Sequence, residues 1–157
     1  MIRKLKNFSR RSSRFLRLPF YLKRSILEAF LFTAVIRFCI VFLPVHKLAS
    51  RLGTPLLETP DDLSSEQTIT AREISFIVQK ISQFTPWSSR CLVQALSTQI
   101  MLKRRKIPST VYLGIAKEGC NALKAHAWLR CGNTILTGST EMGGYRQISC
   151  FGCFIDK

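Results

Sequence analysis

Cys91 and His126 stand 35 positions apart, and each sits in a setting suited to nucleophilic chemistry. A thiol attacks a carbonyl well only as the thiolate, a form that a helix N-terminus and a neighbouring imidazole both favour. Pro86-Trp87-Ser88-Ser89-Arg90-Cys91 reads as a helix start, with Ser88 or Ser89 as N-cap and Arg90 adding positive charge. Ala125-His126-Ala127-Trp128-Leu129 reads as the head of a strand whose small neighbours leave the imidazole room to face another element. In that arrangement His126 takes the Cys91 proton and later gives it to a leaving amine. The Cys91 backbone N–H, one of the unpaired donors of a first helical turn, would meet the oxyanion. The Trp87 indole N–H is a second candidate donor, though a packing role suits it too. Trp128, two residues beyond His126, shares its sheet face and is placed to shield it from water. An isolated cysteine is ordinarily a small buried hydrophobe; the polar, cationic approach to Cys91 sets it apart. His46, the other histidine, reads as a helix-end or surface residue.

The elements that must position this pair lie on either side of it. Thr70-Ala71-Arg72-Glu73 has the form of a capping box, and Ile74, Ile77, Val78 and Ile81 follow on one helical face until Pro86. In the Cys91 helix, Leu92, Leu96 and Ile100 make an apolar stripe beside polar Gln99 and Lys103. Lys103-Arg104-Arg105-Lys106 then puts positive charge where the helix dipole favours it. Thr110 to Ala116 is rich in β-formers and predicts a strand, followed by a polar loop at Lys117-Glu118-Gly119 and a second strand at about His126 to Cys131. Gly132-Asn133 predicts a two-residue hairpin turn into a third strand, Thr134 to Thr137. Helices followed by an antiparallel sheet make an α+β order, with the Cys91 helix packed on the sheet. Upstream, Ile26 to Leu43 is apolar and ends at Pro44. Glu28 and Arg37 argue against a membrane span, since a central Arg costs about 2.5–3.5 kcal/mol to insert. A buried or interfacial helix is expected, with peripheral membrane contact through it and the basic tail as an open alternative. Gly53-Thr54-Pro55 and Thr59-Pro60-Asp61-Asp62 read as linker, which divides the chain into a basic and helical extension at 1–60 and a domain at 61–157.

Composition narrows the partners. Apolar residues make up 46% of 157, enough for a packed core. The net charge is +15, and residues 1–24 hold nine Lys or Arg and no acid. Such a block suits an anionic membrane surface or an acidic peptide. Nucleic acid is not expected, because no zinc-finger spacing, helix-turn-helix pattern or aromatic interleaving accompanies the charge. The six cysteines come without a secretory signal pattern, so free thiols in a reducing cytoplasm are expected. Cys150-Phe151-Gly152-Cys153 has redox or metal spacing but no second ligand pair, and reads as structural thiols near a frayed C-terminus. No cofactor or metal is called for.

A cysteine at a helix start, a strand closing on Leu113-Gly114-Ile115, and Ala125-His126-Ala127-Trp128-Leu129 before a Gly turn together resemble the leader peptidase of lasso-peptide biosynthesis, a member of the transglutaminase-like cysteine proteases. The likeness covers about residues 70–140. It implies a transglutaminase- or papain-like core that removes the leader from a ribosomally made precursor peptide, whose freed core is closed by a separate ATP-dependent macrolactam cyclase. The family's grip on the leader is commonly a winged-helix module; residues 1–60 lack that pattern, so a separate leader-binding protein is the expected partner. The resemblance also implies an Asp about a dozen residues past the histidine to orient the ring. Thr137, Gly138, Ser139 and Thr140 occupy that region instead. Asn133 belongs at the hairpin tip, seven residues or roughly 20 Å from His126. Pairing across Gly132-Asn133 would set Ser139 opposite His126 and turn Glu141 to the same face, which makes Glu141 the first-ranked third member; a backbone carbonyl or a water is the alternative. Two other functions share these features: a non-enzymatic membrane adaptor built on Ile26 to Leu43, and transglutaminase-type acyl transfer to an amine.

Overall fold

Helix α1, Phe20–Phe42, packs through Ser25, Ala29, Thr33 and Ile36 against the two helices that follow it. The computed structural model of the chain describes residues 18–43, 53–118, 122–140 and 142–154. Pro19 stands at the N-cap of α1, where its fixed φ suits a helix entry and its missing N–H costs nothing. Helix α2 is Ser65–Ser82 and helix α3 is Cys91–Lys103. The start of α2 differs from the expectation. Ser64 accepts from the Gln67 N–H while the Gln67 side chain accepts from the Ser64 N–H, so the capping box lies six residues before Thr70. Ser64-x-x-Gln67 fits the same pattern as Thr70-x-x-Glu73, and using it lets Ala71 join Ile74, Ile77 and Val78 on the buried face.

Helix α3 is the hub. Val93, Ala95, Leu96, Met101 and Leu102 are buried, and so are its polar Ser97, Thr98 and Gln99. It contacts α1, α2 and the sheet, which is why its apolar residues are not confined to one stripe. Each large side chain taken fully out of water here contributes about 1.5–3 kcal/mol.

Five strands form one antiparallel sheet in the order β1-β5-β2-β3-β4. They are β1 Thr54–Pro55, β2 Ser109–Glu118, β3 Ala122–Cys131, β4 Thr134–Thr137 and β5 Arg146–Cys153. The α+β class with a helix-packed antiparallel sheet is as expected. Lys117 and Glu118 extend β2 rather than forming a loop, and β3 begins four residues earlier than expected. The expected frayed C-terminus is instead strand β5, which pairs with both β1 and β2 and buries Cys150 and Cys153 as free thiols. Thr54-Pro55, expected as linker, is the strand that flanks it. Ala127, Leu129, Cys131, Val111 and Phe151 face the helices, while Tyr112, Trp128 and Cys150 form a second cluster on the opposite face.

Arg130 ties the 58–61 segment to that outer face. Its guanidinium donates to Glu58 and Asp61, to the carbonyls of Thr59 and Gly132, and to the Tyr112 hydroxyl. Burial, only partly opposed by Arg130, pushes the Tyr112 phenol up to about 12, so it serves Arg130 as a neutral acceptor.

Candidate active site

Cys91 is the first residue of α3, as its setting predicts, but the cap differs. Arg90 holds the N-cap position in extended conformation and no side chain caps the helix. Ser89 is engaged elsewhere: its hydroxyl meets Thr85 at 2.9 Å, and its carbonyl accepts from Gln94 Nε2 at 2.9 Å. Thr85 also donates within the turn to the carbonyls of Ser82 and Trp87, so hydrogen bonds fix the loop that delivers Cys91. The first-turn N–H groups of α3 thus form a positive helix end that no side chain among the described residues caps. Trp87 packs its ring on Phe30 of α1 at 5.0 Å, and its buried Nε1 has no partner among the described residues. It does not line the cavity beside Cys91. Packing, not oxyanion binding, is its place.

His126 lies within β3 rather than at its head, and opposite Gly114 of β2. Its ring is nearly buried, stacked with Trp128 at 6.1 Å and tilted against Tyr145 at 4.9 Å. Trp128 shields it as expected and itself stacks on Tyr112. The indole has space because residue 114 is glycine: a Cβ there would come within 2.8 Å of the Trp128 ring. Alternation puts His126 on the outer face with Trp128, away from the helices. The edge of β3 beside it is open, because β3 pairs with β4 only from Leu129 onward. A register shift between Leu129 and Arg130, followed by Gly138 at φ 75°, turns the chain out of the sheet there. Around that uncovered stretch of β3 lies a cavity of about 770 Å³, and both Cys91 and His126 line it.

The β3–β4 ladder ends at Leu129–Thr137, short of the expected partner. Ser139 does not pair with His126; instead His126 Nε2 donates to the carbonyl of Gly138 at 3.0 Å. A carbonyl only accepts, so the proton belongs on Nε2 and the lone pair of the neutral ring is on Nδ1. Gly138 is twelve residues past His126, the distance at which the resemblance calls for an Asp, and here its main-chain oxygen meets the ring. Leu136, two residues earlier, is clamped by α2, whose Ser75 Oγ and Gln79 Nε2 donate to its carbonyl at 2.6 and 2.9 Å. Glu141 lies outside the described residues, as do His46 and Cys120. Asn133 sits exposed at the hairpin turn, away from the ring.

Gly138, Gln79, Gln94 and Tyr145 are contributors that motif reading missed. Of these only Gly138 had a visible signal, a glycine directly after a strand. Arg90 and Lys124 make the cavity wall cationic, and no acidic side chain lines it among the described residues. No cluster of three potential metal ligands occurs among the described residues.

A sulfur at a helix head and an imidazole with a held tautomer, facing one cavity, suit attack on an acyl group through a thioester. A family model, the transglutaminase-like superfamily, matches residues 39–150. The chain belongs to the transglutaminase-like superfamily. Searches of curated proteins and of solved structures each returned no significant match. The transglutaminase-like match spans α2, α3 and strands β1 to β4, includes every described residue that lines the cavity, and reaches from the end of α1 into β5. This superfamily includes cysteine peptidases, and its core is compatible with either proteolysis or acyl transfer.

Proposed function

We propose that this chain is a cytoplasmic cysteine protease that removes the leader from a ribosomally made precursor during lasso-peptide maturation. The observation that carries the reading is the shared cavity of Cys91, at an uncapped helix head, and His126, held through Nε2 by Gly138. His126 Nδ1 takes the Cys91 proton and the sulfur adds to the scissile carbonyl. First-turn N–H groups of α3 receive the oxyanion. The adduct collapses with cleavage of the C–N bond, the imidazolium protonates the departing amine, and a thioester remains on Cys91. Water, giving a proton to His126, then hydrolyses the thioester to a carboxylic acid and restores the thiol. Throughout, the Gly138 carbonyl accepts from Nε2, whether the ring is neutral or cationic.

The substrate assignment rests on the Ala125-to-Leu129 run and on charge. Arg90 and Lys124 line the cleft of a chain with net charge +15, which suits an acidic leader or an acidic leader-binding protein of winged-helix type. The ATP-dependent cyclase would receive the freed amine.

The test incubates the purified full chain with precursor peptide and leader-binding protein, then weighs the products. Hydrolysis gives two fragments that together exceed the precursor by one water. Transglutaminase-type transfer uses the same thioester but ends with loss of ammonia and a joined product. Cys91→Ala is expected to abolish either outcome, and undiminished cleavage by that variant sinks the assignment.

A further inference from the structure

Helix α1 is built inside out for a soluble helix. Its inward face carries mostly small residues, Ser25, Ala29 and Thr33 with Ile36. Its outward face carries Phe20, Leu27, Leu31, Val35, Phe38 and Phe42, each between 52% and 82% exposed. From Leu27 onward these positions recur at three- and four-residue steps, and Phe20 lies two turns before Leu27, so they form one stripe opposite the buried one. A helix at a protein surface in water normally reverses that choice; small residues inward and large apolar ones outward are the habit of helices in lipid. By length and mean hydropathy of 2.1, α1 meets the requirements of a membrane span. Its inward face is nevertheless committed to the domain, and Glu28 bridges Arg104 and Arg105 of the α3 C-terminus at 2.7 and 2.8 Å. Only the outward half is available to lipid.

Charge identifies which lipid. Seven Lys and Arg precede α1 and Lys23 and Arg24 lie in its first turns, with no acid in residues 1–24. The one acid within α1, Glu28, is neutralised by two arginines. We propose that the outward face of α1 lies in the headgroup region of an anionic bilayer, with the basic residues before it on the phosphates, and holds the protein as a peripheral membrane enzyme. The contact combines apolar burial with electrostatic attraction, the two signals that together give stable attachment.

Co-sedimentation of the full chain with lipid vesicles tests this. Binding to mixed phosphatidylcholine–phosphatidylglycerol vesicles is expected to exceed binding to pure phosphatidylcholine by at least about tenfold and to weaken with salt. Leu31→Glu combined with Phe38→Glu, at exposed sites remote from the cleft, is expected to weaken binding by about 100-fold with helical content unchanged. Arg10→Ser, Arg11→Ser and Arg14→Ser together are expected to remove the preference for anionic vesicles, and they carry the test alone should the apolar variant misfold. Wild-type protein that ignores anionic vesicles, or variants that bind like wild type, overturn the proposal. So does a wild-type dimer, seen by light scattering, that the Leu31/Phe38 variant returns to monomer without any vesicle binding; the face then joins two copies. Loss of affinity for a purified leader-binding protein, with no vesicle binding by the wild type, likewise assigns the face to a protein partner.

Discussion

The Nε2 atom of His126 lies 3.0 Å from the carbonyl oxygen of Gly138. A carboxylate would offer a full charge at that place; the carbonyl offers a dipole fixed by backbone, which holds the ring without titrating. The geometry depends on glycine. At φ 75° a side chain is strained, and a Cβ would stand 2.9 Å from Nε2 and 2.7 Å from the Ala127 carbonyl. Gly138→Ala is therefore expected to cost about 1–3 kcal/mol of stability. It should also lower kcat/KM by about 10²-fold or more, the range of a displaced general base. The pH–rate profile separates the two effects, because a purely structural loss leaves its shape unchanged.

His126→Ala should reduce cleavage by about 10²–10⁴-fold while leaving precursor affinity near wild type. Single-turnover kinetics separates the chemical step from binding. A variant that loses binding alone would recast His126 as a packing residue under Tyr145 and Trp128.

Thiol labelling should follow burial. Desolvation pushes Cys131 up to about 11, so at pH 8 only about one part in a thousand is thiolate. Cys150 is raised as well, first by burial and then by the Glu58 charge. Iodoacetamide on the native protein is expected to modify Cys91, in its cavity, well ahead of Cys131, Cys150 and Cys153. Peptide mass mapping over time reads the order, and equal rates would contradict the buried sheet.

Docking of α1 should weaken in acid. Burial raises the Glu28 carboxyl, but hydrogen bonds and charge from Arg105 and Arg104 together outweigh it and hold the group below its ordinary 4.5. With the folded value depressed, the stabilisation is fully present above pH 4.5 and is lost as pH falls through the folded value. Trp87 fluorescence reports the contact with Phe30 and should change below that pH. Glu28→Gln should flatten the response.

Arg130→Lys should loosen the segment at 58–61. One ammonium cannot serve two carboxylates, two carbonyls and a phenol. Glu58 and Asp61 are more than half exposed, so solvent screens both pairs and the expected loss is about 1–2 kcal/mol. A denaturant titration measures it.

Where a signal was local, the sequence carried it. The Gly132-Asn133 turn, strand β4 and the Cys91 helix start each follow from a few adjacent residues, and each is present. The cap of α2 was ambiguous because two nearby segments, Ser64 to Gln67 and Thr70 to Glu73, satisfy the same pattern, and the first forms the cap. Strand β5 was hidden by its own composition: two cysteines around Phe151-Gly152 drew attention to metal spacing, while its partner β1 is a two-residue strand at a proline. The acceptor at Gly138 is main chain, and a carbonyl oxygen has no letter. Ser139 has no place opposite His126 because the β3–β4 ladder shifts register at Leu129/Arg130 and ends at Leu129–Thr137, an irregularity that no short motif marks.

The sheet joins two time scales. Every described residue that lines the cavity falls between Gln79 and Thr140, whereas Thr54 waits for Gly152, nearly a hundred residues along. Contacts close in sequence form first, and long loops close late. On a growing chain the segment that carries the nucleophile and its base is thus complete before β5 emerges, and the pairing of β1 with β5 must wait for the last strand.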